Sequence, residues 1–567
     1  MREEIFGIVA IFLLAVLCAW PLGRYIARVL KGEKSFTDFL APLERLILRV
    51  SGVDPTVSMD WKENAKALLL LNFIFFLLAM AVLLTQSHHP FLNPDQIASM
   101  EPTTAFNTAV SFMTNTNLQH YSGETGASYL TQLLVFCFLQ FVSAATGIAA
   151  MALLFQAMVN RQSTAVGNFY ELFLKSNTRI LLPIALLVAI ALVWEGTPST
   201  FEGAATITTL EGDTVQVARG PVAPMAAIKQ VGTNGGGYFG PNSTHPFENP
   251  TYISNAVENF AILIIPIALV FAFGFYLGKP RVGYAFLGAM TILFMVFVAI
   301  SVYFESKGNP ALAAMNVNTA AGNLEGKEMR FGTAASSLWG VSTTSTSNGS
   351  VNSMHDSHTP LSGGVFMLDM MINAIYGGVG VGFINFFVFV VIAVFMSGLM
   401  VGRTPELFGK KIEAKEVKIA ALIAIAHPLF ILVGTAIATY LHTRQPDIGW
   451  LNNPSYHGFS EMLYEFTSAA ANNGSGFEGL ADATPFWNVL TGIVMMLGRF
   501  IPIIGPLAIA GSLAAKKYIP ESAGTLRVES PAFAAVLLSV IVIIAALSFF
   551  PALTLGPLAE YFSVSHF

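Results

Sequence analysis

Ten apolar runs, most of them long enough to cross a lipid bilayer, constrain this chain more than any other feature. They lie at about 5–22, 67–85, 129–157, 180–194, 257–278, 284–304, 379–400, 419–440, 486–510 and 532–554. Crossing a hydrocarbon core of ~30 Å takes about 20 helical residues. Inside that core each backbone N–H and C=O needs an internal partner, which a helix supplies. The runs therefore predict an all-α polytopic membrane protein of ~10 transmembrane helices. The 180–194 run is short, and its span is expected to extend back into the amphipathic stretch from Tyr170 to Arg179. The chain is 54% hydrophobic and only 11% charged, against about 25% charged in a soluble domain. A formal charge of −5 gives no footing for nucleic acid, so lipid is the expected surroundings. Cys18 and Cys137 lie in apolar runs and read as small buried hydrophobes.

Lysine and arginine fix an orientation. Of the 29 such residues, 21 fall in alternate loops, from Arg24, Arg28 and Lys31 through Arg403, Lys410 and Lys411 to Lys516, Lys517 and Arg527, and 7 fall on the other side. The positive-inside rule puts the basic loops in the cytoplasm and both termini outside, or periplasmic, which requires an even number of spans. The first run has its positive charges after it rather than before it. It reads as an uncleaved span, not a signal peptide.

The long loops are the non-cytoplasmic ones, roughly 86–128, 195–256, 305–378 and 441–485. The second carries Thr206 to Leu210, Glu211-Gly212-Asp213 and Thr214 to Val217, which reads as a small external hairpin. Each long loop repeats one plan, in which a short stretch able to form a half-helix leads to a polar segment, mostly Gly-rich, and then to an acidic residue. Thr104 to Met113 leads to Thr114-Asn115-Thr116-Asn117-Leu118-Gln119, with Glu124 beyond. Met225 to Gly232 leads to Thr233-Asn234-Gly235-Gly236-Gly237, with Glu248 beyond. Ser336 to Thr346 leads to Ser347-Asn348-Gly349-Ser350, with Asp356 beyond. Ser460 to Ala471 leads to Asn472-Asn473-Gly474-Ser475-Gly476, with Glu478 beyond. An Asn recurs at 115, 234, 348 and 473, a period near 120. Internal repetition of this kind is evidence about architecture. The expected plan is a single domain, residues 1–567, of four helix–pore-loop–helix repeats at about 67–157, 180–278, 284–400 and 419–510. They surround a pseudo-fourfold axis as in a potassium channel, with flanking helices 5–22 and 532–554.

Selecting a dehydrated monovalent cation such as potassium calls for this plan, because the lost water shell must be replaced by oxygens of similar field. Gly235, Gly349 and Gly474 allow positive φ, which turns carbonyls toward an axis. Thr116 is the odd member, since Thr resists positive φ. Thr114, Thr233 and Ser347 can add hydroxyl oxygens at the inner end. The half-helices would aim their negative C-terminal ends at the ion path. Glu124, Glu248, Asp356 and Glu478 would enrich cations at the outer mouth, by about a kcal/mol each before screening.

These segments resemble the KdpA family, the potassium-translocating A subunit of the bacterial Kdp potassium-transporting ATPase. The resemblance runs from the first span to the last. It is carried by Thr114-Asn115-Thr116-Asn117 through Tyr121-Ser122-Gly123-Glu124, by Gly232 to Gly237, Asn242-Ser243 and His245-Pro246-Phe247-Glu248-Asn249-Pro250, and by Glu325-Gly326-Lys327-Glu328 with Arg330-Phe331-Gly332. Met354-His355-Asp356-Ser357, Gly402-Arg403-Thr404-Pro405-Glu406, Ala470 with Asn472 to Ser475, and Gly498-Arg499-Phe500 also match. The likeness implies the fold of the potassium transporter superfamily, in the bacterial cytoplasmic (inner) membrane, with K+ as the transported ion. It implies a P-type ATPase partner, KdpB, which receives the ion through an intramembrane tunnel, together with KdpC and often a small KdpF peptide. The filter residues it implies are Thr114, Asn115, Thr116, Thr233, Asn234, Gly235, Ser347, Asn348, Gly349, Asn472, Asn473 and Gly474, with Gln119, Gly236 and Ser475 adjacent. Some family members carry a carboxylate near Asn373; here that side chain is neutral, and Asp369 lies one turn earlier.

Arg499 sits within a span, where a charge is functional by default; it could set an electrostatic barrier below the filter or pair with a carboxylate of a partner, against a structural pair or a snorkelling side chain. Asp369, Asn373 and Arg403 are further gate or tunnel candidates. The run Gly377-Gly378-Val379-Gly380-Val381-Gly382 either breaks a helix beneath the third filter segment or packs helices closely. The ten His show no metal-ligand spacing that stands out. The chain has no nucleotide site of its own: Gly322 to Lys327 has the wrong spacing for a phosphate loop and is followed by Glu328. Pumping would have to come from a partner. The alternatives are a stand-alone potassium channel or cation-coupled potassium transporter, and an organic-solute transporter built from two inverted halves, which a fourfold repeat disfavours.

Overall fold

Length and apolarity translate directly into helices. The computed structural model describes residues 2–402, 404–519 and 527–564, so Arg403 lies outside the described residues. Among them, ten helices are long and apolar enough to span a membrane: Glu4–Lys31, Trp61–His88, Tyr129–Val159, Phe169–Glu195, Tyr252–Tyr276, Pro280–Ala314, Val381–Met400, Ala414–Arg444, Pro485–Ala514 and Pro531–Val564. The fourth absorbs the amphipathic stretch before residue 180, through a π turn at Ser176–Leu181. Arg179 in that turn meets Glu44 with two bonds of 2.7 and 2.6 Å and Asp38 with one of 2.6 Å. Among the described residues sheet is confined to short pairs; one is the hairpin Ala205–Thr208 with Thr214–Val217.

Between the two spans of each repeat a half-helix is inserted: Pro102–Met113, Val222–Val231, Gly332–Ser345 and Tyr456–Ala471. In every repeat the second span is more enclosed than the first. The buried shares are 72% against 33%, 83% against 44%, 56% against 50%, and 56% against 28%. The second spans thus form an inner layer, and the first spans an outer layer facing lipid.

One boundary differs from the sequence expectation. Residues 305–378 are not wholly an outer loop, because Pro360–Ile372 is an apolar half-helix of 13 residues. With Val381–Val401 it makes a broken second span for the third repeat. The break falls where Asn373, Tyr376, Gly377 and Gly380 all have positive φ, at 47°, 58°, 66° and 84°. A methyl on Gly377 would overlap the Gly382 Cα, and one on Gly382 would overlap Gly377. The glycine run therefore folds the chain back on itself, and it also packs closely on the third span, where a Cβ on Gly380 would overlap the Gly147 carbonyl.

The first span lies along Tyr252–Tyr276 at a contact that only glycine permits. A Cβ on Gly23 would sit 2.6 Å from the Ala268 carbonyl oxygen and 2.7 Å from the Phe271 Cβ. Gly23→Val is expected to destabilise the fold by about 1–3 kcal/mol through overpacking, read as a lower thermal midpoint in detergent. Gly288→Ala, where nothing lies within 4 Å, should leave the midpoint unchanged.

Candidate functional site

The four half-helices end in segments whose backbone bonds set a common register. Thr116 N donates to Ser111 O at 3.0 Å, and Asn234 N to Lys229 O, Asn348 N to Thr343 O and Asn473 N to Ser468 O, each at 2.9 Å. Each spans five residues. Thr116, not Asn115, is therefore the counterpart of the three later asparagines, and the sequence register of the first segment shifts by one. The φ angles agree. Positive values occur at Asn115 and Asn117, at Thr233 and Gly235, at Ser347 and Gly349, and at Asn472 and Gly474. The oddity of Thr116 disappears, because the position needing positive φ is held by Asn117, a residue that tolerates it.

The segments touch in cyclic order. A Cβ on Gly235 would overlap the Asn348 carbonyl oxygen, one on Gly349 that of Asn473, and one on Gly474 that of Thr116. The ring closes from the first segment to the second where the Asn115 amide donates to Thr233 O at 2.8 Å. Backbone from all four repeats thus converges on one axis.

The side chains of the central asparagines are occupied in holding that backbone. Asn348 Nδ2 donates to Lys229 O at 3.0 Å, and Asn473 Nδ2 donates to Thr343 O at 2.9 Å. Both bonds run from one segment to the preceding repeat's half-helix at equivalent positions. Asn234 Nδ2 donates instead to Gln140 O at 3.0 Å, while its Oδ1 accepts from Ser143 at 3.1 Å. A second clamp was not read from the sequence. Thr343 and Ser468, six residues before Gly349 and Gly474, accept from those glycine N–H groups at 2.8 and 2.9 Å. The repeated hydroxyl six residues ahead of glycine was the available signal. Gln119 is a strut, bonding both the N–H and the C=O of Gly237 at 2.8 and 3.1 Å. Gln140 holds Gly236 O at 3.1 Å, and Ser475 bonds Asn473 Oδ1 at 2.6 Å. With these amides and hydroxyls engaged, the ring presents backbone carbonyls together with the Asn117 amide, whose Oδ1 and Nδ2 are buried without a partner.

The helix break lies directly against one end of the ring. Val379 N donates to Thr233 Oγ1 at 2.9 Å, Gly377 N to Ser345 O at 2.8 Å, and Ser347 Oγ to Asn373 Oδ1 at 3.1 Å. A Cβ on Gly378 would be 3.5 Å from the Ser347 Cβ. The hydroxyls of Thr233 and Ser347, expected as extra ion ligands, are thus engaged with the break. Thr114 bonds Thr116 at 2.7 Å. Asp369 is buried and accepts from Thr344 and Ser345 at 2.8 and 2.6 Å. Arg499 donates to Ser143 O at 2.9 Å, a backbone carbonyl rather than a carboxylate. It lies beside Gly147, whose carbonyl a Cβ on Gly380 would overlap.

A family model described as the potassium-transporting ATPase A subunit, KdpA, matches residues 9–562. The chain belongs to the KdpA family. Similar proteins bear the name potassium-transporting ATPase potassium-binding subunit. That of Flavobacterium psychrophilum is 58% identical over 574 residues, covering 100% of both chains. That of Bacteroides fragilis is 53% identical over 569 residues, again with 100% of both chains covered. That of Alicyclobacillus acidocaldarius is 49% identical over 559 residues, 98% of each chain.

In this KdpA-family chain the four acids beyond the segments do not form an exposed outer ring. Glu248 is fully buried, paired with Lys229 and accepting from Phe239 N at 2.8 Å. Asp356 is buried against His457 at 2.9 Å. Glu124 holds Gly240 N at 2.8 Å. Glu478 alone is exposed, and it too accepts from Asp356 N at 3.1 Å. Glu124, Asp356 and Glu478 therefore each tie one long loop to another, and Glu248 binds within its own. Lys229 itself sits on the second half-helix at the position equivalent to Ser111, Thr343 and Ser468. It reaches Asn242 and Ser243 at 2.9 and 2.5 Å, and Asn242 Nδ2 in turn holds Gly235 O at 2.6 Å. Beside the first segment, His120 lies between Glu465 at 3.1 Å and Asp482 at 3.9 Å. Burial lowers the His120 pKa, but the two carboxylates and Asn488 outweigh it and push it up to about 9.

Removing one partner of a buried ion pair strands the other charge, at about 3–5 kcal/mol. Lys229→Met is therefore expected to lower the thermal midpoint in detergent strongly. The double variant Lys229→Met with Glu248→Leu should recover most of that loss. Equal midpoints for the single and double variants would show that the pair is not coupled.

Proposed function

We propose that this chain selects potassium in its four-segment carbonyl ring and delivers it to an ATP-hydrolysing partner. Membership of the KdpA family and relatives named as potassium-binding subunits support the transport role, in which ATP hydrolysis belongs to another chain. The carrying observation for the ring is that the backbone of each segment lies against the next while the asparagine amides are spent on holding it. Carbonyl dipoles from Thr116, Asn234, Asn348 and Asn473 and their neighbours replace the ion's water. The C-terminal ends of the half-helices add negative potential there.

The break at Asn373–Gly380 is the gate in this reading. The bonds Val379 N to Thr233 Oγ1 and Gly377 N to Ser345 O cross the inner end of the ring, so an ion leaves when that loop shifts. From there it passes by Asp369 and Arg499 into a tunnel toward the P-type ATPase subunit KdpB, within a complex completed by KdpC and often by a small KdpF peptide. The complex sits in the bacterial inner membrane with both termini of this chain outside. The stand-alone channel considered from the sequence lacks support from the relatives, which are named as ATPase subunits.

Two measurements test this. In the co-purified complex, ATP hydrolysis should rise with potassium, and Gly349→Ala should raise the half-saturating concentration tenfold or more, since its methyl overlaps a ring carbonyl. An unchanged potassium dependence would remove the ring from the mechanism. For orientation, Cys18 and Cys137 are first replaced by Ser. A cysteine at exposed Leu210 should then react with an impermeant maleimide on intact cells, and one at exposed Lys415 only after lysis. The reverse pattern would invert the topology.

A further inference from the structure

We propose that Asp356, His457 and Glu461 form a binding site for one divalent first-row transition-metal ion, on the face that carries the long loops and apart from the carbonyl ring. His457 and Glu461 are four residues apart at the start of the half-helix Tyr456–Ala471, so both project from one side of it. Asp356 comes from the short turn His355–Ser357 of the preceding repeat. One ligand atom from each of the three lies within 4.8 Å of the others. Metal–ligand bonds of ~2.0–2.1 Å in tetrahedral geometry put ligand atoms about 3.3 Å apart, inside the 4.8 Å within which these three lie.

The surroundings are those of a metal site. His457 Nδ1 lies 2.8 Å from Glu560 Oε1, which fixes the ring and leaves Nε2 directed at Asp356 Oδ1, 2.9 Å away. A carboxylate on the far nitrogen is the usual support of a metal-bound imidazole. Asn453 Nδ2 bonds Glu461 Oε1 at 3.1 Å and Asp356 Oδ2 at 3.3 Å. The second oxygen of Glu461 is the decisive atom. Its residue is fully buried, and Oε2 has no hydrogen-bond partner. A buried carboxylate oxygen left without a donor is costly, and a coordinated cation supplies what it lacks. Asp356, Glu461 and Glu560 surround the one imidazole, an excess of negative charge a divalent ion offsets. A cavity of ≈ 360 Å³ lined by Asp356, His457, Asn453 and Glu560 gives access.

One imidazole with two carboxylates suits Zn²⁺, Mn²⁺ or Fe²⁺ better than K+ or Mg²⁺, which favour all-oxygen shells. The ion takes the place of the proton that His457 Nε2 shares with Asp356. The competing account is a protonated His457 bridging Asp356 and Glu560 with no metal, and that account leaves Glu461 Oε2 unbonded.

The test is zinc titration by calorimetry into the chelator-treated complex, purified with a tag free of histidine. The expected result is a saturable site whose affinity falls about 10–100-fold in His457→Asn, Glu461→Gln and Glu560→Gln but not in Glu124→Gln. X-ray absorption at the zinc edge on the unsubstituted complex should show a nitrogen and oxygen shell with a single imidazole. Zinc affinity equal in the wild-type complex and in the His457 and Glu461 variants would overturn the proposal. So would a zinc shell containing sulfur or no imidazole. Because zinc binding is read without potassium or ATP, these outcomes stand apart from the transport reading.

Discussion

Backbone that leaves the helix inside a bilayer survives only if its polar groups find partners within the protein. The core of this structure is an answer to that constraint repeated four times. Each segment departs from its half-helix through a bond five residues back, as in Asn348 N to Thr343 O and Asn473 N to Ser468 O. Side chains of neighbouring repeats then take up the groups that remain. The Asn348 and Asn473 amides point outward to half-helix carbonyls and that of Asn234 to Gln140 O on the third span, and this leaves the carbonyls of those asparagines free to face the axis. Polar groups that would be a liability in lipid are thereby largely bonded within the protein.

That economy explains which features were legible in the sequence. The ten spans were legible because the bilayer sets a minimum length for each, and the fourth was expected to reach back before residue 180, as it does. The repeat was legible because four loops shared one composition. Its register in the first loop was not. A string match aligns Asn115 with the later asparagines, whereas the backbone aligns Thr116 with them. Only hydrogen-bond geometry distinguishes a conformational role, positive φ at Asn117, from a recurring letter.

The acids and the broken span were hidden for a different reason. An acidic residue in a loop looks solvated until its partner is known, and the partner of Glu248 is Lys229, on the half-helix ahead of it. Nothing local in the sequence marks that pairing. The glycine run at 377–382 was open to two readings because small residues serve both breaks and close packing. The positive φ values at Asn373, Tyr376, Gly377 and Gly380 decide for the break. The hydroxyls of Thr233 and Ser347 then connect the ring to the break.

The departures from fourfold symmetry are themselves informative. At the position six residues before the second positive-φ residue, two repeats place a hydroxyl that grips the segment's own N–H. The second repeat places Lys229 there, and Asn242 holds Gly235 through its carbonyl instead. A short hydroxyl clamp fixes only its own loop. Lys229, held by Glu248, Ser243 and Asn242, ties the ring to the stretch 239–249 and, through Phe239 and Gly240, to the first loop's Glu124. The third repeat departs elsewhere, in the break that lies against one end of the ring. Two of the four sectors thus depart from the common plan, the second through Lys229 and the third through its broken span.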